Sequence, residues 1–107
     1  MDAVEGQLRL VDIQRFLHRV GATRGILFGS RARGDYIASS DVDLIVISDR
    51  FANVGFPWRM VFLHENWDLP LYLEGLPYTE EEFARLKQTS SVVQDAVKHG
   101  VEIWPGA

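Results

Sequence analysis

The stretch Asp41 to Ser48, DVDLIVIS, constrains this chain more than any other. Side chains alternate between the two faces of a strand, so Val42, Leu44 and Val46 share one face and Ile45 and Ile47 share the other. A strand apolar on both faces needs cover on both, which places it inside a sheet with helices packed on each side. Other segments supply the cover. Leu8 to Val20 reads as an amphipathic helix, with Leu10, Ile13, Leu17 and Val20 at three- and four-residue spacings and Phe16 alongside. Arg9, Gln14, Arg15 and Arg19 occupy its solvated face, and Gly21 stops it. Gly25 to Phe28 is a short buried strand.

Downstream, the spacing predicts a helix over 57–65, with Pro57 in its first turn. A third strand follows from Leu69 to Leu76, with Pro70 marking an edge or its beginning. Thr79-Glu80-Glu81-Glu82 is a capping box that opens a helix carrying Phe83 and Leu86. Ser91 with Gln94 suggests a second box, for a helix whose apolar side is Val93, Ala96 and Val97 and which Gly100 ends. Val101, Ile103 and Trp104 suit a last short strand. Strands alternating with helices make the expected fold α/β: a small mixed sheet flanked by helices, one domain over 1–107.

Composition narrows the chemistry. The 107 residues contain no cysteine, which excludes disulfides, thiolate metal sites and a cysteine nucleophile. The net charge of -4 argues against a broad footprint on duplex nucleic acid or an anionic membrane. An acidic first segment and no apolar run of membrane-spanning length point to a cytoplasmic protein. His18, His64 and His99 fit no metal spacing, and His99 is expected to complement a helix dipole. Trp58, Phe62 and Trp67 are packing residues of which some face a partner.

The chemistry that remains concentrates in the middle of the chain. Gly29-Ser30 ends the first strand, Ser30 caps a short helix through Arg33, and Gly34-Asp35 ends that turn. Ten residues separate Ser30 from Asp41-Val42-Asp43. Two residues apart on a strand, Asp41 and Asp43 project together, and two carboxylates so close repel unless a cation lies between them. A hard divalent ion such as Mg²⁺ takes carboxylate oxygens and leaves positions for phosphate and water. Gly29 admits a ligand close to the backbone, Ser30 offers a hydroxyl and N–H groups, and Arg31 and Arg33 add positive charge. An Asp-x-Asp pair alone is often a solvated strand edge. Its conjunction with the Gly-Ser turn points to a nucleoside triphosphate and a metal.

The run GSRARGDYIASSDVDLIVIS resembles the G-S-x(10)-D-x-D signature of the DNA-polymerase-β-like nucleotidyltransferase superfamily, and in particular its minimal nucleotidyltransferases (MNT). The resemblance extends to the Tyr78 to Phe83 segment. It implies Mg²⁺-dependent transfer of a nucleotidyl group from a nucleoside triphosphate, with Asp41 and Asp43 as catalytic metal ligands. Gly29 and Ser30 would hold the terminal phosphates, with Arg33 neutralising the leaving group. It also implies a third carboxylate on a later strand, commonly Asp. Glu74 stands at that distance from the Tyr78-Thr79-Glu80 segment, with Asp68 as a rival.

Minimal nucleotidyltransferases resemble the antitoxin half of a toxin–antitoxin pair whose partner is a helical HEPN-type ribonuclease. The implied activity is AMP transfer from ATP onto a tyrosine of that toxin. Two alternatives stand beside it. One is a non-catalytic module that binds nucleotide and neutralises its partner by contact. The other is a small-molecule nucleotidyltransferase whose helical domain comes from a partner chain.

Overall fold

The structure is a computed structural model that describes residues 8–34 and 41–106, the side chain of Arg33 excepted. Helix α1 (Leu10–Arg19) leads into strand β1 (Arg24–Phe28), the single-turn helix α2 (Ser30–Arg33) and strand β2 (Val42–Ile47). A 3₁₀ turn at Asp49–Phe51 precedes helix α3 (Phe56–Asn66) and strand β3 (Leu73–Tyr78). Helices α4 (Glu80–Thr89) and α5 (Ser91–His99) and strand β4 (Val101–Ile103) complete the order. The four strands form one sheet in the order β3-β2-β1-β4. β2 pairs parallel with β3, while β1 pairs antiparallel with both β2 and β4. This is the small mixed sheet flanked by helices that the sequence predicts.

The two apolar faces of β2 are covered as expected. Val42, Leu44 and Val46 pack with Ile13, Phe16 and Leu17 of α1 and Leu63 of α3. Ile45 and Ile47, with Ile26 of β1, pack against Phe83 of α4 and Val93 and Ala96 of α5. Phe16 and Leu17 are fully buried, and each such side chain contributes about 1.5–3 kcal/mol relative to exposure.

Several local expectations shift. Leu10 is 58% exposed because α1 begins there and its first turn overhangs the core. Arg19 is not simply solvated: its guanidinium donates to the Asn66 carbonyl and pairs with Asp68 at 3.1 Å. Gln14 donates to the Trp104 carbonyl. β3 begins at Leu73 rather than Leu69 and runs through Pro77, since Pro lacks only the N–H that an edge strand leaves unpaired. The α5 cap is Ser90, whose Oγ accepts the Val93 N–H, so the boundary lies one residue before the predicted Ser91. Val97 is half-exposed rather than core. Phe62 and Trp67 pack against the core, but Trp58 is 71% exposed. The Thr79 capping box is present in full: Thr79 Oγ1 accepts the Glu82 N–H and Glu82 Oε1 accepts the Thr79 N–H. Among the described residues, no helix is long and apolar enough to cross a membrane.

Candidate active site

The sheet register builds the site. Phe28, the last residue of β1, pairs with Asp43, and Asp43 pairs across the parallel junction with Glu74. Paired residues on neighbouring strands point to the same face about 4.8 Å apart. Phe28, Asp43 and Glu74 therefore form a row across three strands, on the face that Ile45 and Ile47 continue beneath α4 and α5. Glu74 lies in the second position of β3, near the strand's beginning, which is what lets it meet Asp43. Asp41 precedes β2 by one residue and is exposed; Asp43 is half-buried and Glu74 exposed.

The Gly29 turn is fitted to this row. Gly29 has φ of 73° and ψ of -155°, a region essentially confined to glycine that costs other residues about 1–3 kcal/mol. A Cβ there would collide with the Asp43 carboxylate, meeting its Cγ at 3.1 Å. The turn and the carboxylate touch because this position has no side chain. Ser30 is the first residue of α2, with Gly29 as the cap, rather than being the cap itself. Its carbonyl accepts the Gly34 N–H at 3.0 Å. Arg31 is buried rather than solvated. The Arg33 side chain lies outside the described residues.

A pocket of about 360 Å³ opens beside the acids. Asp43 and Glu74 edge it, and Phe28, Met60, Tyr72, Leu76 and Val92 give it an apolar wall. The Tyr72 ring is braced edge-on by His64, with centroids 5.6 Å apart. The donors are hard carboxylate oxygens, which suit a hard divalent cation. Among the described residues, however, no three acidic or histidine side chains converge on one point, so Asp43 and Glu74 form the edge and Asp41 stands one register step outside it. Asp68, the rival to Glu74, is taken up by Arg19 near the end of α1.

The residue set from the Gly29 turn through Glu74 falls within a single family match: the nucleotidyltransferase domain, residues 9–104. The chain belongs to that family. Among solved structures, it is similar to a protein of Sulfolobus solfataricus described as a candidate nucleotidyltransferase. The two are 23% identical with a TM-score of 0.61, over 90% of this chain and 79% of the other, which is a likeness of fold. No curated protein matches. Within this nucleotidyltransferase domain, Asp43 and Glu74 stand paired near one end of the β2–β3 ladder.

Sequence reasoning missed two features. Arg59, within the aromatic-rich stretch, is 6% exposed and clamps Glu82 through two nitrogens at 2.7 and 3.0 Å. Nothing in its local sequence separates it from a surface arginine. His99 is not merely a helix-end cation: its Nδ1 lies 3.2 Å from Asp95 Oδ1, beside Gly29. The four-residue spacing of Asp95 and His99 is a signal that was present in the sequence.

Proposed function

We propose that this domain transfers AMP from ATP to a hydroxyl of a partner protein, the reading in which the partner is a HEPN-type toxin, the acceptor a tyrosine and the domain its antitoxin. The observation that supports it most is the pairing of Asp43 with Glu74 against the Gly29 turn, at the mouth of an apolar pocket. In this reading Asp41, Asp43 and Glu74 hold Mg²⁺. When bound, the metal would supply charge neutralisation of the triphosphate and a lowered pKa for the acceptor hydroxyl. Gly29 and Ser30 admit the terminal phosphates close to the backbone, and Arg33 neutralises the leaving group. The apolar wall of Met60, Tyr72, Leu76 and Val92 seats the acceptor beside Glu74. The acceptor oxygen attacks the α-phosphorus, the α–β anhydride bond breaks, pyrophosphate leaves, and the hydroxyl proton passes to solvent. The exposed Trp58, Phe56 and Val61 of α3 supply an apolar surface on which a protein acceptor can rest.

A second reading, a non-catalytic nucleotide-binding module, is favoured by one observation: the three acids do not converge among the described residues. Intact-mass spectrometry separates the two. Incubation with Mg²⁺, ATP and the product of the neighbouring gene is expected to add one AMP to the partner, and Asp43→Asn is expected to abolish the adduct. A tight complex with no adduct would sink the enzymatic reading.

A further inference from the structure

We propose that Tyr72 is a modification site within this chain: its hydroxyl takes AMP from ATP bound at the acids of the same molecule when no partner supplies an acceptor. The inference rests on the reading above, in which the acceptor is seated beside Glu74, and deepens it by assigning an acceptor that the domain itself carries.

Register places the tyrosine. Val42 pairs with Leu73 and Asp43 with Glu74 in the parallel ladder, so one step back sets Tyr72 opposite Asp41. The Val42 N–H donates to the Tyr72 carbonyl at 2.9 Å, so the backbone alignment already holds there. Tyr72 and Glu74 are two residues apart in extended chain and leave it on the same face, as Asp41 and Asp43 do. Two residues of strand cover about 6.6 Å, a length that a tyrosine side chain spans. β3 lies at the sheet edge, and Tyr72 is 59% exposed, so the phenol has a route to water for its proton.

The side chain meets the pocket of the acids. Tyr72 lines the same cavity of about 360 Å³ as Asp43 and Glu74. Phe28, Met60, Leu76 and Val92 share its wall and carry no nucleophile, so Tyr72 brings the one hydroxyl side chain among the described lining residues. The His64 ring meets the phenol edge-on, with centroids 5.6 Å apart, which limits its swing. Tyr78 is the contrast. It pairs with Ile47 at the other end of the ladder, four residues beyond Glu74, and lines a different cavity with Arg59 and Glu82.

The step is a single displacement. Tyr72 Oη attacks the α-phosphorus of ATP and forms an Oη–P bond. The α–β anhydride bond breaks, pyrophosphate leaves with the electron pair, and the phenol proton passes to solvent. Acceptor and nucleotide are then held by one molecule, which removes the entropic cost of a second encounter.

Denaturing intact-mass spectrometry of the full chain with Mg²⁺ and ATP, and no other protein, tests the inference. One AMP per chain is expected, and peptide fragmentation should place it on Tyr72. Tyr72→Phe keeps the ring against His64 and should lose the adduct, while Tyr78→Phe should keep it. An adduct that survives Tyr72→Phe, on Tyr36 or elsewhere, overturns the inference. Mixing Asp43→Asn with Tyr72→Phe, two chains of different mass, should label neither. An adduct on Asp43→Asn in that mixture is transfer between molecules and overturns the assignment within one chain. If the product of the neighbouring gene takes AMP and this chain takes none, the inference falls and the reading above stands. If Tyr72 is modified and that product is not, the inference stands and the partner reading falls. A preparation that labels neither protein overturns both.

Discussion

The two ends of the β2–β3 pair carry acids used in opposite ways. At the far end, beyond Ile47 and Tyr78, Glu82 is held by the buried Arg59 and by the Thr79 N–H. That clamp pulls the Glu82 carboxyl down to about 2, chiefly through the Arg59 hydrogen bonds. Burial, and to a lesser degree the Glu82 charge, pushes the neighbouring Tyr78 hydroxyl up. At the near end, Asp43 and Glu74 set two like charges on paired positions beside an open pocket. The far acid is matched to a cation of its own chain and holds α3 to α4. The near acids are placed side by side, and in the proposed reading a bound cation would offset their repulsion. Carboxylates thus act as a strut at one end and, in the proposed reading, as a ligand set at the other.

The largest expected effect breaks the near end. Asp43→Asn should lower AMP transfer about a thousandfold, several kcal/mol of transition-state stabilisation, in a protein that still unfolds cooperatively. Turnover and melting curves on one preparation check both halves. Breaking the far end should do the reverse. Glu82→Gln leaves the Arg59 guanidinium buried without its counter-charge and should cost about 3 kcal/mol in urea unfolding, with the transfer rate of the folded fraction nearly intact.

A smaller effect belongs to the turn between them. Gly29→Ala should cost about 1–3 kcal/mol from its φ of 73° and ψ of -155° and should also slow transfer, because the new methyl displaces the Asp43 carboxylate. Stability loss without any change in transfer would separate the turn from the site. The smallest effect is a pH signature of the strut. Glu82 has a folded value of about 2, below its ordinary 4.5, so its contribution is fully present above about pH 4.5 and is lost as pH falls toward 2. Acid unfolding of Glu82→Gln should lack that part of the slope.

Much of this was legible in the chain because it is local. The Gly-Ser turn, the Asp-x-Asp pair and the Thr79 box are short motifs whose geometry follows from backbone rules, and each lies where the sequence places it. The β3 boundary was less legible. Leu69 to Leu76 is apolar throughout, and hydrophobicity alone does not separate an extended approach from a paired strand; pairing with β2, set by Leu73 against Val42, decides it. The Ser90 cap is a one-residue matter of which hydroxyl reaches the Val93 N–H. Arg59 was illegible for a different reason. Its partner, Glu82, lies 23 residues away in the chain, and only the packing of α3 on α4 brings them together.

By itself the sequence determined a central strand apolar on both faces, its helical cover, and two acids two residues apart after a Gly-Ser turn. Alternation along one strand is enough for that, because it is a property of the backbone. The tertiary structure decided which acid stands beside Asp43. Parallel register sets Glu74 opposite Asp43, while an ion pair with Arg19 draws Asp68 away. Register between strands and the choice among cations depend on long-range packing, which no local pattern encodes.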